Sequence, residues 1–201
     1  MIAVVALAAT VALIAFLSGA GPSLFAWPQS GMLKGKPTPW VVPSPKVLAA
    51  TWSASKAFNV PVVLMLAIGH RETNFRPLRG IVLPKSYAKW RDKTVPGSSK
   101  TWGQLYPESQ WRAYGYMQLL PVNIVGVPGD GLRPGEPLTR AFEPRRNARL
   151  AARYLRNAYE KRGSWLKAIW AYNGVQDYVD DVVGNVRALG GRPSQLGDET
   201  S

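Results

Sequence analysis

The chain has 201 residues, 46% of them apolar, and carries a formal net charge of +13, with no cysteine and a single histidine, His70. The lack of cysteine excludes disulfide frameworks and thiolate metal sites, and one histidine excludes a histidine-rich metal site. So basic a composition indicates a polyanionic partner, for which nucleic acid, an anionic membrane and cell-wall polymer all qualify.

Residues 1–20 form an almost unbroken apolar run, and no charged side chain precedes Lys34. About 20 such residues suffice for a spanning helix, so a membrane anchor is the favoured interpretation. A cleaved secretory signal, with Ser18 and Ala20 as the small residues before the cut, and a buried core helix are the alternatives. The first positive charges follow the run, which is unusual for a signal peptide and, by the positive-inside rule, places the remaining chain in the cytoplasm.

Residues 21–46 contain six prolines, which forbid a continuous helix and favour extended backbone. This segment is therefore predicted to be a Pro-rich linker. The folded domain is expected over residues 47–190, and residues 191–201 are predicted to be a flexible tail.

The hydrophobic pattern of the domain has no sustained alternation of the kind that indicates strands, so a mainly α fold is predicted. Helices are expected at 47–58, 62–72, 143–162, 164–172 and 176–189. Between them, residues 76–112 are predicted to be a long irregular insertion, and residues 122–142 a second irregular stretch rich in glycine and proline.

Glu72 stands at the end of the predicted helix 62–72. Met65 and Ile68 lie seven and four residues before it, so the three side chains share one stripe and Glu72 extends an apolar face. A carboxyl in that position loses solvation, which raises its pKa, and a protonated acid near neutral pH is what glycosidic bond cleavage requires. A solvated Glu72 that pairs with Arg76, four residues later, is the alternative.

Two later segments complete a pattern with Glu72. Residues 113–121 read Ala-Tyr-Gly-Tyr-Met-Gln-Leu-Leu-Pro, and residues 168–174 read Ala-Ile-Trp-Ala-Tyr-Asn-Gly. Together with Glu-Thr-Asn-Phe at 72–75, and with a helix that contains Tyr-Leu between the last two motifs, they resemble the lytic transglycosylase domain of glycoside hydrolase family 23. Goose-type lysozymes are related to this family. The resemblance covers about residues 47–189 and implies a lysozyme-like helical domain.

The resemblance implies a role for each matching position. Glu72 corresponds to the catalytic acid and base, and Tyr172 to the tyrosine that approaches this carboxylate. The substrate-binding set that the resemblance implies is Thr73, Met117, Gln118, Tyr172 and Asn173. The chain departs from the family pattern in that Tyr116 replaces a leucine and Gly174 comes one residue early. The gap before the second motif is also long.

The implied reaction cleaves the β-1,4 bond between N-acetylmuramic acid and N-acetylglucosamine and leaves a 1,6-anhydro ring, with no cofactor or metal. A hydrolytic lysozyme is the alternative. It would need a second carboxylate, for which Glu108, Asp130 and Glu143 are candidates by position alone. A further alternative is a membrane-anchored protein that binds peptidoglycan without cleaving it.

Four arginines of the predicted helix 143–162 fall on one face, namely Arg145, Arg149, Arg153 and Arg156. They form either a solvated surface or a surface that attracts wall polymer, anionic lipid or nucleic acid, of which nucleic acid is the least favoured partner. The expected partners are peptidoglycan, a membrane through the N-terminal helix, and proteins of a virion or secretion complex. The expected location is the cell envelope, with the domain facing the wall, or a phage virion.

Overall fold

The mainly helical character predicted from the sequence is confirmed in a computed structural model, which describes residues 27–33 and 35–197. The predicted anchor at 1–20 and the end of the predicted tail, 198–201, lie outside the described residues. In the described part of the chain, none of the helices combines the length and the apolar character that crossing a bilayer requires.

The described part of the chain contains seven α-helices, five close to their predicted positions and two within residues 76–112. They are α1 (Pro45–Phe58), α2 (Val62–Thr73), α3 (Pro84–Trp90), α4 (Trp102–Leu105), α5 (Pro144–Arg162), α6 (Trp165–Asn173) and α7 (Gln176–Ala188). The strands form two antiparallel pairs, β1 (Ser30–Leu33) with β2 (Lys36–Pro39) in a hairpin and β3 (Arg79–Val82) with β4 (Arg112–Tyr114).

The insertion at 76–112 is more regular than predicted, because it contains β3, α3 and α4. α4 begins in a capping box, in which the Thr101 side chain accepts from the Gln104 N–H and the Gln104 side chain accepts from the Thr101 N–H. Reciprocal capping stabilises a helix too short to show any hydrophobic period. The prediction of an irregular insertion was wrong for β3, α3 and α4, because each is too short to give a hydrophobic period in the sequence.

Helix α2 forms the centre of the core. Its residues 64–70 are all buried, as expected because the helix is apolar from Val62 to Ile68. α1 and α7 pack against it, α5 packs against α1 and α6, and α6 packs against α7. The C-terminal end of α2 is thereby held in a fixed place among the other helices.

Residues 30–33 and 36–39, inside the segment predicted to be a linker, pair as the β1–β2 hairpin on the surface of the domain. The two prolines of β2 are tolerated because a two-stranded sheet leaves one side of each strand without ladder bonds. Gly31 allows β1 to approach closely, since a Cβ there would lie 2.7 Å from both the His70 imidazole and the Asn185 side chain. Proline content alone could not reveal this packing against α2 and α7.

The hairpin and the residue that follows it make contacts with both α2 and α7. The Trp40 ring stacks on the His70 imidazole of α2, with 4.1 Å between the ring centroids. The Asn185 side chain of α7 accepts from the Met32 N–H and donates to the Met32 carbonyl at 3.0 Å. Because buried polar groups that lose their partners are costly, the hairpin is an integral part of the folded domain.

Candidate active site

Glu72 is the second-last residue of α2, which ends abruptly just after it. Asn74 and Phe75 have left-handed backbone conformations, with φ of 51° and 61°, and their N–H groups bind the carbonyls of His70 and Gly69. Consecutive left-handed residues other than glycine persist only where the surrounding structure holds them. A Cβ at Gly69 would lie 2.8 Å from the Phe75 ring, so the glycine leaves room for this turn. The turn fixes where α2 ends and hence the position of Glu72.

The Glu72 carboxyl is largely buried and has a phenolic partner. Its Oε1 accepts a hydrogen bond of 2.7 Å from the Tyr178 hydroxyl of α7. Burial raises the pKa of Glu72 to about 7, against the smaller opposing effects of the Tyr178 hydrogen bond and the Arg71 positive charge. The carboxyl can therefore hold a proton near neutral pH and release it, as a general acid must.

Tyrosine rings from three helices pack beside Glu72. The Tyr172 ring is stacked on the Tyr178 ring with centroids 6.4 Å apart, and the Tyr154 ring meets Tyr172 edge-on at 5.4 Å. Burial raises the pKa of Tyr172 and of Tyr178 well above the usual value, and the negative charge of Glu72 raises both further. These phenols therefore remain neutral where Glu72 titrates.

The second sequence motif forms a tight loop held by Asn147 of α5. The Asn147 side chain accepts from the Met117 N–H at 2.9 Å and donates to the Tyr114 carbonyl at 3.1 Å. Gly115 has φ of 79°, and a Cβ there would lie 2.3 Å from the Asn147 amide nitrogen. A side chain at position 115 would therefore displace the amide that holds the loop.

This loop is joined directly to the tyrosine cluster and to α2. The Tyr172 hydroxyl donates to the Met117 carbonyl at 2.6 Å, and the Thr73 hydroxyl donates to the Tyr116 carbonyl at 3.0 Å. The side chains of Thr73 and Met117 are buried. Both residues of the predicted substrate-binding set thus contribute to holding the loop beside Glu72, and their contact with a substrate stays a prediction.

The other members of the predicted set lie nearer the surface. Gln118, with φ of 49°, is half-buried and donates to the Leu78 carbonyl at 3.0 Å, which connects the loop to the start of the insertion. Asn173 is exposed at the last residue of α6. Direct substrate binding by Gln118, Tyr172 and Asn173 likewise stays a prediction.

No sequence motif singles out Tyr178, the residue that binds Glu72. It shares a buried face of α7 with Asp181 and Asn185, three and seven residues further on. Polar side chains at that spacing on a buried face are a usable signal, because each must find a partner inside the protein. The spacing alone does not tell which partner each of them finds.

The carboxylates considered as a second catalytic group are engaged elsewhere or exposed. Burial raises the pKa of Asp130, but its hydrogen bonds and ion pairs with Arg149 and Arg153 outweigh this effect and lower it. The Glu143 side chain caps α5 by accepting from two N–H groups of its first turn. Glu108 is exposed on a 3₁₀ turn.

Most arginines of the predicted face bind other side chains of the same protein. Arg149 and Arg153, besides binding Asp130, each place the guanidinium carbon 5.1 Å from the Phe58 ring centroid. Arg156 forms an ion pair of 2.8 Å with the Glu160 carboxylate on the same helix. These contacts favour the solvated, structural interpretation of the face over a surface kept free for a polyanion.

Comparison with known protein families places most of the chain in one family. A model of the family described as the transglycosylase SLT domain matches residues 50–194. This range contains Glu72, Tyr178 and the 115–118 loop, whereas the β1–β2 hairpin precedes it. Comparisons with curated proteins and with solved structures found no match.

Proposed function

Since this chain belongs to the transglycosylase SLT domain family, we propose that it is a peptidoglycan lytic transglycosylase with Glu72 as its general acid and base. The family supports an enzyme that acts on peptidoglycan. The observation that carries the catalytic assignment is the buried Glu72 carboxyl, with a pKa of about 7 and a hydroxyl donor on one oxygen. A protein that only bound the polymer would gain nothing from so costly a carboxyl.

In the first step, protonated Glu72 donates its proton to the oxygen between N-acetylmuramic acid and N-acetylglucosamine. The bond from that oxygen to C1 of the muramic acid breaks, and N-acetylglucosamine leaves with the proton as its new hydroxyl hydrogen. The positive charge that develops at C1 is stabilised by the neighbouring N-acetyl group of the substrate.

In the second step, the Glu72 carboxylate accepts the proton of the muramyl 6-hydroxyl. The oxygen of that hydroxyl bonds to C1 and closes the 1,6-anhydro ring, which restores protonated Glu72 for the next cycle. The attacking group belongs to the substrate, so its effective concentration is high and no second carboxylate has to activate water. The engagement of Asp130 with two arginines and of Glu143 with the start of α5 supports this mechanism over hydrolysis.

Tyr178 has a defined part in this cycle. Its hydroxyl donates to Oε1 of Glu72, which leaves Oε2 to exchange the proton with the substrate. A hydrogen bond to the carboxylate stabilises the ionised form that exists between the two steps. The high pKa of Tyr178 ensures that it stays a donor throughout.

The test is digestion of purified peptidoglycan by the full chain, followed by mass spectrometry of the products. We expect anhydro-muropeptides, which are one water lighter than hydrolysis products, and no products from Glu72→Gln. Glu160→Gln is the matched control, because it makes the same chemical change at an exposed carboxylate that was not a candidate for the second catalytic group. Reducing muramyl ends as the main product would establish a hydrolytic lysozyme, and intact polymer would refute the enzyme.

We further propose that the domain acts at the cell envelope, in wall remodelling, secretion-system assembly or phage entry, and that residues 1–20 attach it to a membrane. The apolar, uncharged character of that segment supports attachment. Fractionation of cells that express the full chain tests this proposal. Recovery of the intact chain in the fraction free of membrane would contradict it, and a mature N-terminus near Gly21 would instead support a cleaved signal.

A further inference from the structure

Three elements meet at the Asp181 carboxylate of α7. Asp181 is only 2% exposed, and its Oδ2 lies 2.6 Å from Nε of Arg71 on α2. The same carboxylate accepts from the Gly35 N–H, with oxygen distances of 3.0 and 3.3 Å, in the turn between β1 and β2. A buried carboxylate is costly unless it is paired and hydrogen-bonded, so this junction depends on both partners.

Arg71 connects Asp181 to the catalytic group. Its guanidinium carbon lies 5.0 Å from the centroid of the Tyr178 ring, and the Tyr178 hydroxyl binds Glu72. A cation over an aromatic face is attractive, so the arginine restrains the ring that carries the hydroxyl. The contacts run from Asp181 through Arg71 and Tyr178 to Glu72.

The β1–β2 hairpin is the outer end of this connection. It is attached to α7 at Gly35 through Asp181 and at Met32 through Asn185, which lies four residues further along the same helix. The hairpin precedes the range that matches the family. The junction therefore joins an element outside the matched domain to the catalytic site.

We propose that Asp181 is a positioning residue, which holds Arg71 over Tyr178, balances the arginine charge beside Glu72 and joins the hairpin to the catalytic site. This inference rests on the proposed function, since it concerns the same acid. According to this proposal, α7 and the hairpin affect the pH at which Glu72 loses its proton.

The charged and titratable groups around Glu72 determine whether Asp181 raises or lowers the pKa of Glu72. They are Arg71 on its own helix, Tyr178 and, behind it, Asp181 on α7, and Tyr172 on α6. The positive charge of Arg71 favours the carboxylate of Glu72 and so lowers its pKa. The Asp181 carboxylate offsets the charge of Arg71, so its presence keeps Glu72 protonated at higher pH. Removal of the Asp181 charge should therefore lower the pKa of Glu72 further.

The first variant is Asp181→Asn, which keeps the shape and removes the charge. Cleavage of peptidoglycan is lost as Glu72 ionises, so the basic limb of the pH–rate profile should move to lower pH by roughly one unit, the low end of what a neighbouring charge does to a carboxyl. The Gly35 amide, which loses its charged acceptor, should exchange its hydrogen faster. Asp180→Asn is the matched control, because Asp180 neighbours Asp181 on α7 but is exposed and bound to Gln176.

Arg71→Gln should move the basic limb in the opposite direction, to higher pH, and Arg71→Gln combined with Asp181→Asn should return it towards the wild type. If Asp181→Asn fails to fold, the double variant, which removes the buried charge together with its partner, carries the test. The proposal would be overturned if the profile of Asp181→Asn were displaced no differently from that of Asp180→Asn, or if the double variant were displaced to higher pH as far as Arg71→Gln alone. A shift of both single variants in one direction would also overturn it. If the wild type cleaves no peptidoglycan, the proposed function fails, and titration of the ¹³C-labelled Glu72 carboxyl by NMR tests the same shifts.

Discussion

Glu72→Gln should abolish cleavage and also stabilise the fold above neutral pH. Gln has the same shape and its amide oxygen can accept the Tyr178 hydrogen bond, but it does not ionise. Burial raises the pKa of Glu72 from 4.5 to about 7. The folded protein therefore binds this proton more tightly than the unfolded chain does, and ionisation opposes folding.

The magnitude follows from this difference of about 2.5 units, which corresponds to roughly 3 kcal/mol at most. In the wild type, the tighter binding of the Glu72 proton stabilises the folded state in full below about pH 4.5. This stabilisation is lost as the pH rises towards the folded pKa of about 7, and it is absent above that pH. Glu72→Gln loses nothing over that range. Its advantage over the wild type should grow with pH and reach a melting-temperature difference of roughly 6–12 °C for a chain of this size.

Thermal unfolding followed by circular dichroism, from about pH 4.5 to about pH 8.5, measures this effect. Glu108→Gln serves as the control, because an exposed carboxylate should give no advantage that grows with pH. A difference between the wild type and Glu72→Gln that stayed constant with pH would refute the burial argument. Cleavage retained by Glu72→Gln would refute the catalytic assignment independently.

Three further substitutions test the surroundings of the acid. Tyr178→Phe removes the hydroxyl that donates to Oε1 of Glu72, so the basic limb of the pH–rate profile should move to higher pH by about one unit. The reason is that a hydrogen bond to a charged group contributes roughly 1.5–3 kcal/mol. A basic limb at an unchanged pH would exclude this role of Tyr178. Asn147→Ala leaves two backbone groups of the loop unpaired and should lower the free energy of unfolding by about 2–4 kcal/mol in urea, whereas the exposed Asn157→Ala on the same helix should change it little. Trp40→Ala should cost about 3–5 kcal/mol, and an unchanged urea midpoint would show that the hairpin does not stabilise the domain.

The elements that sequence alone could predict are those with local signals. Helix α2 was expected at 62–72 and spans Val62–Thr73, because an apolar run starts after Pro61 and the helix ends at Asn74, which has a left-handed backbone. Helix α5 was expected at 143–162 and spans Pro144–Arg162, with a glycine in the left-handed conformation after it. The position of Glu72 at the end of a buried helix followed from the first of these.

The features of the fold and the site that the sequence did not predict depend on contacts between residues far apart in the chain. Tyr178 meets Glu72 across 106 residues of chain, and Asn185 meets Met32 across 153. A pattern of polar residues along α7 indicates that partners exist, but packing in three dimensions determines which partners they are. The prolines of the hairpin, which are local, indicated a linker because they say nothing about the distant surface that the hairpin covers.

Helices α2 and α7 have different roles at the site, because their surroundings differ. Residues 64–70 of α2 are buried, and the space at Gly69 is taken by the rings of Phe75 and Tyr116, so the helix that carries the acid has little freedom to change. The face of α7 instead meets Glu72 through polar contacts, directly at Tyr178 and through an ion pair at Asp181, which shift a pKa without altering the volume of the core. Substitutions on this face of α7 should therefore change the pH at which the acid works, whereas substitutions in the buried part of α2 should change whether the domain folds.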